Sequence, residues 1–170
     1  MCEKFINYIS ANNFLARALE IAGINLTLQK AGVTIIKNIT MKYSIEKEEK
    51  YCLFVLNESK LDTTVAPSVK SELLTINAEG IKNLILDLSQ VKYTDSSGLS
   101  AILVGNRIFS ENGGVFILAN LNDHVMKLIT ISQLDKVLNI LPTVEESVDA
   151  IFMHEIEKDL NKEEDEDQHA

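Results

Sequence analysis

Cysteine is scarce in this chain, and the two that occur form no motif. Cys2 and Cys52 lie far apart, with no C-x-x-C and no second cysteine near either. A thiolate metal site is therefore not expected. Cys52 sits inside the apolar run YCLFVL and reads as a buried free thiol, which suits a reducing cytoplasm. Long apolar runs are missing too. None nears the roughly 18 residues a membrane span needs. The N-terminus also lacks the basic start and unbroken apolar core of a signal peptide. Positive charge is in deficit: the net charge is −9, which argues against a nucleic-acid groove. Most of that excess is local, with eight acids against two lysines from Glu155 to Ala170. What remains is an ordinary soluble composition. The chain has 170 residues, 46% hydrophobic and 24% charged, enough for one domain with a real core.

The organised part begins at Met41. Residues 42–46 and 51–56 read as two strands joined by a turn at Lys47-Glu48-Glu49-Lys50. Asp62 and Thr63 are placed to cap a helix. Its stripe is Val65, Val69, Leu73, Leu74 and Ile76, with Pro67 in the first turn and Gly80 as the stop. NLILDLS is almost wholly apolar, the mark of a central strand covered on both faces. A second helix follows on Leu99, Ile102, Leu103 and Ile108, stopped by Asn112-Gly113-Gly114. VFILAN predicts another buried strand, and Asn122 or Asp123 caps a short helix. KVLNIL predicts a last strand. The final helix carries Val144, Val148, Ile151, Phe152 and Ile156 on one side. Strands alternating with helices in this way predict an α/β fold with a mixed, mostly parallel sheet of four to five strands and about four helices. The expected domain spans residues 41–160. Residues 161–170 are dense in charge and are expected to be a disordered acidic tail. Residues 1–40 predict a helix ending near Gly23 and two short strands around Lys30-Ala31-Gly32. One reading takes Met41 as the true start and 1–40 as an upstream extension.

The chemistry concentrates in Asp95, Ser96, Ser97 and Gly98, between an apolar strand and an apolar helix. In open α/β sheets functional groups gather where strands end and helices begin. Four readings meet there. Asp and Ser are good N-caps, so the segment can simply start a helix. A nucleophile elbow needs G-x-S-x-G and a histidine base. Asp95 stands where its first glycine belongs, and His124, His154 and His169 are poorly placed as bases. A phosphate cradle needs G-x-x-x-x-G-K-[ST], which is absent. Lastly, a hydroxyl at an exposed helix start is accessible to a kinase. A phosphate there would add about −1.5 to −2 charge, and helix amides tolerate it. A receiver-like phospho-aspartate site at Asp87 lacks both its acidic pair and its late lysine.

The segment NLILDLSQVKYTDSSGLSAIL resembles the STAS-domain anti-sigma factor antagonists, the anti-anti-sigma proteins of bacterial partner switching. Their pattern is an apolar strand, a spacer, D-S-S/T-G-L-G and an apolar helix. The likeness continues through the last helix, about residues 42 to 157. Ser100 stands where that pattern ends in glycine, and Ser59 where its G-x-L-D begins. The resemblance implies a STAS fold and a non-enzymatic cytoplasmic binding protein that carries no cofactor or metal. It implies that Ser96 is phosphorylated by a cognate serine kinase of histidine-kinase-like ATPase type, itself the anti-sigma factor. The unmodified form would bind that kinase and free a sigma factor; a PP2C-type phosphatase would reset the switch. Asp62, Asp95, Ser97, Gly98 and Leu99 would form the contact surface. An alternative use of the same fold is a scaffold or regulatory subunit of a transporter or stress-sensing complex.

Overall fold

Strand periodicity in the first described residues folds back on itself as a hairpin. The computed structural model describes residues 41–167. The helix and strands expected within residues 1–40 lie outside the described residues, as do residues 168–170. Strand β1 (Tyr43–Lys47) runs antiparallel to β2 (Cys52–Leu56), with Ile45 opposite Phe54. Alternation in β2 sends Cys52, Phe54 and Leu56 into the core. Burial pushes the Cys52 thiol up to about 11, so it stays protonated and inert at neutral pH.

The next two strands have two residues each and carry no readable period. They are β3 (Lys60–Leu61) and, later, β5 (Tyr93–Thr94), paired in parallel as a separate ladder. Helix α1 (Ala66–Ala78) buries Ala66, Val69, Leu73 and Ile76. Leu74, expected on that stripe, is 53% exposed. The expected cap at Asp62 or Thr63 is corrected. The N-cap is Val65, without a side-chain bond. Asp62 instead shapes the preceding turn, its carbonyl accepting from the Val65 and Ala66 amides. Gly80, at φ +91°, turns the chain out of the helix.

Strand β4 (Leu84–Asp87) is buried throughout, as is β6 (Phe116–Ala119). With β7 (Asn139–Leu141) they complete a five-stranded sheet of order β1-β2-β4-β6-β7, parallel except at β1. Between them run α2 (Ser96–Glu111), α3 (Asp123–Ile131) and a 3-10 turn at Leu134–Lys136. Asn122 caps α3, its side chain accepting from the Val125 amide at 2.9 Å. One face of the sheet is covered by residues of α1, α2 and α3, among them Leu73, Ile102, Phe109 and Val125. The other carries a smaller cluster of Ile85, Ile117, Ala119 and Ile151.

The last of these, Ile151, belongs to α4 (Val144–Asp167). The Thr143 hydroxyl accepts from the Glu146 amide at 3.1 Å and starts the helix. Its apolar stripe is covered at Val144, Val148 and Ile151, whereas Phe152 and Ile156 are 44% and 55% exposed. The helix backbone continues to Asp167, through most of the stretch expected to be a disordered tail. Glutamate and lysine are good helix formers, and that local preference supports the extension.

Candidate functional site

Asp95 adopts an extended backbone and hands the chain into α2. Its Oδ1 accepts from the amides of Ser97 at 2.8 Å and Gly98 at 3.0 Å, satisfying two of the orphan donors at the helix start. Its Oδ2 reaches out of the loop and accepts from the Thr63 amide at 3.3 Å. One carboxylate thus caps a helix and ties two loops together. Asp62, in the second loop, accepts from the amide and hydroxyl of Thr64. The hydroxyl bond leads the amide bond in holding the Asp62 carboxyl below the usual carboxylate range.

The two-residue ladder explains how these loops meet. Leu61 pairs with Thr94, and the Leu61 carbonyl accepts from the Asp95 amide at 3.3 Å and the Thr94 hydroxyl at 3.0 Å. Gly98 sits against that knot. A Cβ there would lie 2.2 Å from both the Leu61 carbonyl oxygen and Thr94 Oγ1. Only glycine lets the helix start approach this closely.

These contacts sort the expected site residues by exposure. Ser96, the first helical residue, is exposed, and Asp62, Asp95 and Ser97 are half-buried. Gly98 and Leu99 are buried, Leu99 at 6% exposure. They support the loop from beneath, because the helix must pack its inner face on β3 and the core. Asp87 is also structural: its Oδ1 accepts from the Ser89 amide and from the Asn120 side chain.

Sequence reading missed two residues that the fold brings to the start of α2, His124 and Lys70. A recess of about 330 Å³ is lined by Tyr93, Thr94, Asp95, Ser96, His124 and Leu128. His124, poorly placed as a nucleophile's base by sequence, shares this recess. No hydrogen bond joins it to Ser96 among the described residues. One turn further along α2, Lys70 Nζ donates to Ser100 Oγ at 3.0 Å. No local motif marks these pairs, which lie some thirty residues apart in the chain.

Removal of the Asp95 carboxylate has a defined expected effect. Asp95→Ala should lower folding stability by about 1–2 kcal/mol, the upper range for a helix cap. Asp95→Asn should retain about half or more of that, since its Oδ1 still accepts. Urea unfolding of the two variants checks this, and an Asp95→Ala protein as stable as the wild type would show that the cap contributes little.

The STAS domain family model matches residues 42–147. A protein of Thermotoga neapolitana is 30% identical over 73 residues, and the match spans 43% of this chain and 65% of that protein. The anti-sigma F factor antagonist of Paenibacillus polymyxa is 27% identical over 118 residues, 68% of this chain and 98% of that one. Among solved structures, the anti-sigma factor antagonist SpoIIAA in its unphosphorylated form superposes with a TM-score of 0.53 at 19% identity, covering 65% of this chain and 97% of that one. The phosphorylated form of SpoIIAA, a Bacillus cell fate determinant, gives 0.52 at 21%, covering 65% and 99%. At those identities the two structures speak for the fold alone. No described helix is long and apolar enough to cross a membrane. The chain belongs to the STAS domain family, among relatives named as anti-sigma factor antagonists.

Proposed function

We propose that this chain is an anti-sigma factor antagonist switched by phosphorylation of Ser96. In the unmodified state it binds a cognate anti-sigma serine kinase of the histidine-kinase-like ATPase type and so frees a sigma factor. The kinase then transfers the γ-phosphoryl group of ATP to Ser96 Oγ, with loss of the hydroxyl proton and release of ADP. The modified protein leaves its partner, and a PP2C-type phosphatase hydrolyses the phosphoserine. The protein acts in the cytoplasm and does no chemistry of its own.

The observation that carries this reading is the placement of Ser96. It is the exposed first residue of a rigidly capped helix, at the rim of a recess and beside a second loop. Asp62, Asp95 and Ser97 share that surface, while Gly98 and Leu99 position it. Relatives named as antagonists, and a member of the same fold seen in both phosphorylated and unphosphorylated forms, support the same reading. Phosphate at the centre of such a contact adds bulk and nearly two negative charges. A mispaired buried charge at an interface costs about 2–5 kcal/mol, or roughly 30-fold and upward in affinity.

The test is incubation with the cognate kinase and ATP, with the phosphate mapped by mass spectrometry. Label is expected on Ser96 and should vanish in Ser96→Ala, which still binds the kinase. Ser96→Asp should bind about 10-fold or more weakly, by the same charge argument. A kinase that labels a control substrate but neither Ser96 nor Ser97 would refute the proposal.

A further inference from the structure

Lys70 is held by a neutral side chain, as Lys158 is held by the Gly113 carbonyl. Lys47 pairs with Glu79, and Arg107 with Glu111, each an ordinary surface ion pair. Lys70 is half-buried on α1 and its ammonium has a neutral partner, the Ser100 hydroxyl at 3.0 Å. Ser100 lies four residues after Ser96 on α2, and such residues stand one above the other with Cβ atoms about 5–6 Å apart. Helical side chains also lean toward the N-terminus, so the Ser100 hydroxyl, with Lys70 on it, leans toward Ser96. The family pattern has glycine at position 100, so this resting place for the ammonium comes from a residue the pattern does not supply.

We propose that Lys70 is the internal counter-ion of a phosphate on Ser96: it rests on Ser100 in the unmodified protein and moves one helical turn to the phosphate after modification. The inference rests on Ser96 being the modified residue. Lysine is suited to the move, with a compact charge on a flexible four-carbon stem and three donors free to rotate. Of the titratable groups, Tyr93, Asp95 and His124 line the recess with Ser96, Asp62 stands in the loop tied to Asp95, and Lys70 lies on α1 against Ser100, one turn along α2 from Ser96. The Asp95 carboxylate is engaged by amides of both loops and repels the new charge. His124, on α3, lines the recess with Ser96. Lys70 therefore joins α1 to α2 through the phosphate and keeps the modified loop close to its unmodified shape. The switch then acts on the partner, while the fold of this chain stays as it is.

The experiment uses the full chain with phosphoserine inserted at position 96 during translation, so no kinase is required. The second ionisation of the phosphate is followed by phosphorus NMR. Its midpoint should lie about half a pH unit below that of the Lys70→Met variant, the size of an exposed ion pair. Lys70→Arg should keep the offset, and so should Ser100→Gly, which frees the ammonium without removing it. His124→Ala should leave it in place. Equal midpoints in the wild-type and Lys70→Met proteins would overturn the assignment, as would an offset that disappears with His124 or Ser100. A kinase that fails to label Ser96 would instead count against the proposed function.

Discussion

Gly98→Ala is expected to lose about 3 kcal/mol of folding stability, the upper range for overpacking at a close contact. Helix propensity alone predicts the opposite, since alanine is favoured over glycine inside a helix by about 1 kcal/mol. Geometry decides the sign. The new methyl would lie 2.2 Å from the Leu61 carbonyl oxygen and from Thr94 Oγ1. Those two atoms are hydrogen-bonded to each other, and one of them is backbone. Neither can yield without breaking the bond or pushing β3 away from the start of α2. A buried polar group left unpaired adds about 1–3 kcal/mol of its own. The same displacement separates the Asp62 loop from Asp95, so if the proposed function holds, kinase binding falls along with stability. Urea unfolding measures the first effect. A Gly98→Ala protein as stable as the wild type would show that the knot has slack.

Phe109→Ala should be larger still, about 4 kcal/mol, in the range for emptying a buried phenylalanine site. Phe109 is fully buried on α2 and stacks on Phe116 of β6, with ring centroids 5.9 Å apart and planes 26° from parallel. Aromatic pairs contribute about 0.5–1.5 kcal/mol beyond their buried area. The surroundings cannot collapse into the space easily. Gly105 lies one turn earlier on α2, already close enough that a Cβ would meet Phe116 and Leu73 within 2.9 Å. Against a total stability of about 5–15 kcal/mol typical of a domain, the loss is a large fraction. Phe109→Leu should lose about 1–2 kcal/mol, because most of the volume stays filled. Equal losses for leucine and alanine would place the effect in the stacking of the rings instead of in the volume.

The long elements were legible because their physics is local. Apolar runs at 84–86 and 116–119 gave buried strands, and the spacing of Val69, Leu73 and Ile76 gave the buried face of α1. Pro67, Gly80 and Gly113 marked where helices start and stop. Two-residue strands have no period, so β3 and β5 were invisible, and with them the reason Asp62 lies beside Asp95. The first cap was misjudged because Asp62 has the right residue type but sits three residues too early. Phe152 and Ile156 fit a helical stripe, yet a stripe does not reveal how much sheet is there to cover it. In the site, Asp95 as a cap followed from residue type and position. Ser96 was preferred over Ser97 through family resemblance, since a helix start alone presents both. Lys70 and His124 are tertiary neighbours, and no spacing rule reaches across some thirty residues.

The ladder between β3 and β5 makes the proposed recognition surface a property of the finished fold. Its halves come from segments about thirty residues apart, each too short to persist alone. Helix α1, β4 and the turn after it lie between them in the chain. An unfolded or half-folded copy carries the same Asp-Ser-Ser-Gly string but not the joined loops, so a kinase that docks on both would pass it over. On this reading the switch counts only properly assembled molecules. Newly made or damaged chains would neither engage the partner nor consume its ATP.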